Sequence, residues 1–222
     1  MSPAEQVSTE SFKCRILIAG TGGQGVITAA RLLTEFFSSH GHQVQSSQLH
    51  GMAQRGGAVQ SSVLVGCGIS PTLGRGCADF VLGFEPIETV RVLPYISSAT
   101  VVFLDPTPIV PYVLAQNFVF GGQLTEYPCI DRLYDNIRSV TKNLVTLDAT
   151  TLAEQAGSAR ALNVVMLGCL FGSGLLRYRA ADFLDTTMKT IPARLAETNH
   201  RAFRNGVEFS RDLGLIRGQP CP

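Results

Sequence analysis

The sequence contains no tryptophan and little charge. Charged residues make up 16% of its 222 positions, whereas hydrophobic residues make up 45%. An average soluble domain carries about 25% charged residues. The chain therefore has little charge with which to cover a surface, and we expect part of that surface to be covered in a complex.

The sequence also lacks cysteine pairs at the spacing of metal ligands. The six cysteines form no C-x-x-C pair, and iron–sulfur and structural zinc sites usually take at least two ligands from one short loop. The spacing therefore argues against a metal site and predicts free thiols. A chain this apolar does not need disulfides for stability.

Segments that would direct the chain to a membrane or to nucleic acid are lacking. The most apolar stretch, 161–176, is interrupted by Asn163 and glycines and falls short of the roughly 18 residues of a membrane span. Residues 1–11 are polar and lack the apolar core of a secretory signal, so we expect a cytoplasmic protein. The net charge is +1 with no cluster of Lys or Arg, which disfavours nucleic acid as a partner.

Hydrophobic patterning predicts alternating strands and helices. Short apolar or β-branched runs predict strands, and apolar positions three or four apart predict helices. The predicted strands are 15–19, 43–47, 58–65, 79–83, 100–104 and 143–147, the predicted helices are 26–37, 85–95, 152–156, 162–176 and 193–209, and 107–131 is predicted to be irregular. This alternation predicts a single α/β domain with a doubly wound, mostly parallel open sheet and helices on both faces, a Rossmann-like architecture.

A glycine-rich loop, Gly20-Thr21-Gly22-Gly23-Gln24-Gly25, lies between the first predicted strand and the first predicted helix. Glycines permit a tight turn and a close approach of a ligand, and the free N–H groups at a helix start favour an anion such as a phosphate. Two interpretations remain open. The loop either binds a phosphate-bearing ligand or only lets the strand and the helix pack closely.

No Asp or Glu occurs between Glu35 and Asp79. A dinucleotide site normally places a carboxylate about 20 residues after its glycine loop to bind the ribose, so NAD binding is disfavoured. The loop also lacks the Lys-Ser/Thr pair of a P-loop. Cysteines aside, the ionisable side chains of this stretch are all basic, so we expect a positive potential there. These residues are His40, His42, His50, Arg55 and Arg75.

The segment His50-Gly51-Met52-Ala53-Gln54-Arg55-Gly56-Gly57 follows the second predicted strand. It should lie at the same carboxyl edge of the sheet as the glycine loop, where open α/β sheets bind ligands. Arg55 can bind a phosphate or carboxylate through two hydrogen bonds, and His50 can exchange a proton. The alternative is that these side chains stabilise the loop or pair with a neighbouring subunit.

Two further features have structural interpretations. Gly168 and Gly172 lie four residues apart in an apolar helix, a spacing that allows close helix packing. Asn163 in the same helix needs a hydrogen-bonding partner if it is buried, so we expect it to tie the helix to a loop or an interface. Asp105-Pro106 at a strand end is explained by a turn.

The glycine loop, the segment 50–57 and the pattern Arg160-x-x-Asn163-x-x-x-Leu167-Gly168 together resemble the gamma-type domain of 2-oxoacid:ferredoxin oxidoreductases. The similarity extends from about Cys14 to Phe209. The string His-Gly-Met-x-Gln-Arg-Gly-Gly resembles, more specifically, the beta subunit of the indolepyruvate branch of that family.

This resemblance implies a small subunit that assembles with a larger subunit carrying thiamine diphosphate and iron–sulfur clusters. It also implies oxidative decarboxylation of a 2-oxoacid with coenzyme A, with electrons passed to ferredoxin. We expect the gamma-type domain to span 13–212, with a flexible tail at 1–12 and another tail at 213–222. No cofactor is assigned to this chain alone, and coenzyme A is a possible co-substrate.

The residues expected to face a phosphate-bearing ligand or the partner chain are Gly22, Gly23, Gln24, Gly25, His50, Gln54 and Arg55. Two alternatives are a purely structural subunit of such a complex and a free-standing nucleotide-binding protein. We expect the isolated chain to be inactive.

Overall fold

The computed structural model describes residues 12–50, 57–68, 70–109, 127–187, 189 and 191–212. The strands are β1 (Cys14–Thr21), β2 (Val44–His50), β3 (Ala58–Val65), β4 (Phe80–Gly83), β5 (Val101–Leu104) and β6 (Leu144–Thr146). The described α-helices are α1 (Val26–Ser39), α2 (Pro86–Arg91), α3 (Ile130–Arg138), α4 (Ala149–Ala156), α5 (Leu162–Gly172), α6 (Ala180–Thr187) and α7 (Ala193–Asp212).

The six strands form one sheet in the order β2-β3-β1-β4-β5-β6. The pairs β1–β4, β4–β5 and β5–β6 are parallel, while β3 is antiparallel to both β1 and β2. Strand β2 therefore points in the same direction as β1. The predicted mostly parallel α/β sheet is confirmed, but β2 does not neighbour β1, because the reversed strand β3 lies between them.

Both faces of the sheet are buried, which explains the nearly continuous apolar runs of its inner strands. On β1, Ile16 and Ile18 face one hydrophobic core, whereas Leu17 and Ala19 face the other. The first core contains α1 and α4–α7, and the second contains residues of α3 and those that follow α2. The prediction of helices on both faces is therefore confirmed.

Glycines bring α5 and α7 into backbone contact. A Cβ at Gly168 would lie 2.2 Å from the carbonyl oxygen of Phe203, and one at Gly206 would lie 2.1 Å from that of Val165. A Cβ at Gly172 would lie 2.7 Å from the Cα of Val207. The spacing of Gly168 and Gly172 thus serves core packing.

Several boundaries differ from the predicted ones. The predicted helix 85–95 is α2 followed by a 3₁₀ turn at Leu93–Tyr95, because Pro94 has no N–H with which to continue an α-helix. Helices α3 and α6 were not predicted, and α3 begins inside the stretch predicted to be irregular. Residues 110–126 of that stretch lie outside the described residues, as do the tails except Phe12, which is buried.

None of the described helices is both long enough and apolar enough to span a membrane.

Candidate functional site

The glycine loop connects the end of β1 to the start of α1, as its sequence predicts. Gly23 and Gly25 have φ values of 107° and 80°, a backbone conformation that L-residues with a side chain rarely adopt. Gly25 is the N-cap of α1 and has no side chain with which to cap the helix. Gly23 is exposed, and nothing lies within 4 Å of where its Cβ would be, so a ligand or another chain can approach its backbone closely.

The side chain of Gln24 fills the inside of this loop. Its Oε1 accepts hydrogen bonds from the backbone N–H (2.8 Å) and the hydroxyl (3.1 Å) of Thr21. Its Nε2 donates to the carbonyl of Phe84 at 2.6 Å. The amide of Gln24 therefore ties the loop after β1 to the end of β4, and a Cβ at Gly20 would lie 2.8 Å from Gln24 Oε1.

Asn163 of α5 packs against the glycine loop. It is 5% exposed, and its Nδ2 lies 3.4 Å from the carbonyl of Gly25. A Cβ at Gly25 would come within 2.8 Å of the Asn163 side chain. The expectation that Asn163 ties its helix to a loop is confirmed. The sequence pattern at 160–168 thus contacts the glycine loop.

The last residue of the segment 50–57 contacts the glycine loop. Strand β2 ends at His50, on the same sheet edge as the end of β1, and the N–H of Gly22 donates to the carbonyl of Gly57 at 2.9 Å. Gln54 and Arg55 lie outside the described residues, as does the side chain of His50. The roles of these three residues stay predictions.

A small cavity of about 220 Å³ opens beside this edge, on the α2 face of the sheet. Ala19, Leu49 and Ala58 line it, together with Glu88 and Arg91 of α2. Burial raises the pKa of the Glu88 carboxyl, although Arg91 opposes this shift from a distance of 3.7 Å. No sequence pattern singles out Glu88, because i, i+3 charge pairs also occur on ordinary solvated helices.

Two buried carboxylates follow β4 and β5 and serve local structure. Glu85 accepts from the N–H of Glu88 at 2.9 Å, capping α2, and from the hydroxyl of Tyr127 at 2.5 Å. Asp105 accepts from Thr107 and from the hydroxyl of Thr150. These bonds confirm the turn interpretation of Asp105-Pro106.

With this geometry established, the chain can be compared with known proteins. A model of the family "pyruvate ferredoxin/flavodoxin oxidoreductase" matches residues 15–209. The chain belongs to this family. Indolepyruvate oxidoreductase subunit IorB of Archaeoglobus fulgidus is 30% identical to it, over 94% of this chain and 98% of the relative.

Two solved structures support the fold of this family member. A keto/oxoacid ferredoxin oxidoreductase gamma subunit from Geobacter sulfurreducens is similar with a TM-score of 0.61 and 22% identity, over 89% of this chain and 98% of that one. The 2-oxoglutarate:ferredoxin oxidoreductase of Magnetococcus marinus, with 2-oxoglutarate, coenzyme A and succinyl-CoA bound, is similar with a TM-score of 0.62 and 16% identity, over 94% of this chain and 32% of that one. The same fold therefore also occurs as part of a longer chain.

The basic residues of the stretch that has no carboxylates do not all lie at the glycine-loop edge. His40, His42 and Arg75 lie at the opposite edge of the sheet, beyond the end of α1 or before β4. At the glycine-loop edge, the described charged side chains include Glu85, Glu88, Arg91 and Asp105. A net positive potential at that edge would therefore require His50 and Arg55 as well, and it stays a prediction.

Across the residues that the structure describes, no group of three or more His, Cys, Asp or Glu side chains could hold a metal ion. Cys67, Cys77, Cys129 and Cys169 are thiols outside any disulfide.

Proposed function

We propose that this chain is the small subunit of a thiamine-diphosphate-dependent 2-oxoacid oxidoreductase of the indolepyruvate type. Its full-length similarity to relatives named indolepyruvate oxidoreductase subunit IorB supports this assignment. A larger partner subunit would carry thiamine diphosphate and the iron–sulfur clusters. The net reaction would be oxidative decarboxylation to an acyl-CoA, with electrons passed to ferredoxin.

One observation carries the proposal for the site. The glycine loop and the segment that follows β2 are joined by the hydrogen bond from Gly22 to Gly57, at the carboxyl edge of the sheet. There Gly23 exposes its backbone, while the neighbouring cavity measures only about 220 Å³. Small-molecule sites usually measure about 300–1,000 Å³, and we propose that a second polypeptide completes a site of this size.

Within that composite site, each predicted residue has a chemical task. The backbone of Gly23 and Gly25 would face a phosphate-bearing ligand such as coenzyme A, or the partner chain, at the start of α1. The N–H of Gly22 is already bonded to the carbonyl of Gly57, so Gly22 would hold the loop beside this ligand. Gln24 would hold this loop in shape. The residues His50, Gln54 and Arg55 would lie beside the loop, where Arg55 would pair with a phosphate or carboxylate.

The experiment is reconstitution. This chain, the larger subunit proposed as its partner, and the two co-expressed are assayed for 2-oxoacid-dependent reduction of a low-potential dye. The substrates are indolepyruvate, pyruvate and 2-oxoglutarate. The proposal expects activity from the co-expressed pair, with indolepyruvate preferred, and none from this chain alone. Robust activity of the isolated chain, or failure of the two chains to co-purify, would contradict it.

A purely structural role is the second candidate, because both polar ends of the Gln24 amide are already bonded inside the loop. Under that alternative, Arg55→Ala would weaken assembly without changing the rate of the assembled enzyme. Under the proposal, the rate per assembled complex falls. The third alternative is a free-standing nucleotide-binding protein. Equilibrium dialysis tests it, because only this alternative predicts micromolar binding of NAD or FAD to the isolated chain.

A further inference from the structure

A large groove lies at the amino edge of the sheet, opposite the glycine loop. Its volume is about 1160 Å³, about five times that of the cavity beside the glycine loop. It is bounded by the start of β1, the end of β3 and the segment that leads into β4. Nothing in the proposed function uses this edge.

Three cations and one carboxylate line the groove. Arg15 is engaged with Asp79, since its Nε and Nη2 donate to the two carboxylate oxygens at 3.0 and 2.7 Å. Lys13 and Arg177 are exposed and have no ion-pair partner among the described residues. Three positive charges against one negative charge leave the groove a formal +2, with the two free cations on its rim.

The position of Arg177 is fixed by packing. Its guanidinium lies over the ring of Phe12, 4.6 Å from the ring centre, and Phe12 is itself buried at 3% exposure. A guanidinium held on an aromatic face keeps its edge N–H groups available for an anion. Arg177 is therefore a positioned cation, whereas an unsupported arginine would sample many rotamers.

The floor of the groove is apolar. Leu64 and Leu73 are 4% and 7% exposed, and the half-buried thiols of Cys67 and Cys77 pack into the same core. Ser70 and Thr72 add hydroxyl groups along one side. An apolar floor with a few polar groups at the rim is the usual lining of a small-molecule site.

We propose that this amino-edge groove binds a small phosphate monoester that carries an aromatic or heteroaromatic ring. The ring would rest on Leu73 and its apolar neighbours, and the doubly charged phosphate would match the two free cations, Lys13 and Arg177. A monocarboxylate would neutralise only one of them. The proposal is independent of the function proposed above, because it concerns the opposite edge of the sheet.

The test is calorimetric titration of the full chain with three probes at pH 7.5 and moderate salt. Adenosine 5′-monophosphate carries both the ring and the phosphate, adenosine carries only the ring, and inorganic phosphate carries only the anion. The expected result is saturable binding of adenosine 5′-monophosphate, at least tenfold tighter than that of either fragment. Binding of the monophosphate no tighter than that of the fragments would overturn the proposal.

Charge-removing variants locate the site. The double variant Lys13→Gln, Arg177→Gln should weaken binding of adenosine 5′-monophosphate at least tenfold and leave the weak binding of adenosine unchanged. The matched control, Lys142→Gln with Arg204→Gln, removes the same net charge from exposed positions outside the groove and should bind like the wild type. Equal losses in both double variants would show a general charge effect and contradict the proposal.

Because Lys13 and Arg177 are exposed, neither substitution empties a core, and an unchanged melting temperature will verify folding. Cys77→Trp is a second, independent variant that fills the groove from its floor without altering charge. It should abolish binding of the monophosphate, and wild-type binding by a folded Cys77→Trp protein would overturn the proposal. An acidic peptide that binds the groove more tightly than the monophosphate would also overturn it, in favour of a protein partner.

Discussion

Gln24 shows how a residue inside a candidate ligand loop can act on the loop itself. Its amide makes three hydrogen bonds, two to Thr21 and one to the carbonyl of Phe84. The sequence places Gln24 among glycines and so groups it with ligand-facing residues. Its bonding partner at the end of β4 is distant in sequence, and no local pattern indicates that contact.

We predict that Gln24→Ala destabilises the fold by about 1–3 kcal/mol, because it leaves the Thr21 N–H and the Phe84 carbonyl without their partner. Urea unfolding of the isolated chain measures this. Gln155→Ala, at an exposed position of α4, is the control and should change stability by less than about 0.5 kcal/mol. A Gln24 variant as stable as this control would show that the bonds contribute nothing.

The two left-handed glycines of the loop should respond differently to an added methyl group. Gly23→Ala meets open space and costs only the backbone strain, about 1–2 kcal/mol. Gly25→Ala adds a contact of 2.8 Å with Asn163 to that strain and should cost about 2–4 kcal/mol. Thermal unfolding of the two variants side by side checks the order, and the reverse order would refute the packing of Asn163 against Gly25.

The free energy of unfolding should depend on pH through Glu88, and the direction of the pKa shift fixes the sign of that dependence. Burial raises its carboxyl pKa above the ordinary 4.5, so the folded state holds this proton more tightly than the unfolded state does. The stability that the neutral carboxyl contributes is complete below the unfolded value and is lost as pH rises through the folded value. The free energy of unfolding of Glu88→Gln minus that of the wild type should therefore increase from about pH 4 towards pH 7.

Urea unfolding of both proteins across this range provides the measurement, and Glu154→Gln, at an exposed position, is the control. A difference that stays constant or falls with pH would contradict the raised pKa of Glu88.

At the scale of elements, the sequence predicts most strands because burial on both faces makes them apolar throughout. Where the predicted helix boundaries are wrong, there is a physical reason. Pro94 stops the helix that the pattern extends to residue 95, and α3 begins at Ile130, inside the stretch 107–131 whose Pro and Gly residues predict irregular structure. The insertion of β3 between β1 and β2 is a long-range pairing, and hydrophobic periodicity carries no information about strand order.

The contact between α5 and α7 is the element-scale feature most sensitive to substitution. Gly168→Ala would place a methyl group 2.2 Å from the Phe203 carbonyl, and α7 would have to move away as a unit. We predict a loss of about 3 kcal/mol or more, measured by urea unfolding, despite the higher helix propensity of alanine. Ser38→Ala at an exposed position of α1 should leave stability within about 0.5 kcal/mol, and equal behaviour of the two would refute the close packing.

At the scale of the whole molecule, the two edges of the sheet differ in character. The carboxyl edge joins the glycine loop to Gly57 and holds a small cavity, and the amino edge holds the large basic groove. The sequence correctly places the ends of its two glycine-rich segments at one edge, because both segments follow strands that point the same way. It does not show where the basic residues lie, and His40, His42 and Arg75 lie in connections that return to the amino edge.

Two glycines, one at each edge of the sheet, test whether the glycine-loop edge completes a site on a partner subunit. Gly23 and Gly41 both have positive φ, 107° and 81°, and neither has an atom within 4 Å of its Cβ position. Gly41 follows α1 and so lies at the opposite edge. Replacing either glycine by valine imposes similar backbone strain at open, exposed positions.

The decisive measurement is therefore kcat/KM of the reconstituted two-subunit enzyme carrying Gly23→Val or Gly41→Val, at matched complex concentration. The account predicts at least a tenfold loss for Gly23→Val and less than a twofold change for Gly41→Val. Equal rates for the two variants would contradict the placement of the glycine loop at the site shared with the partner.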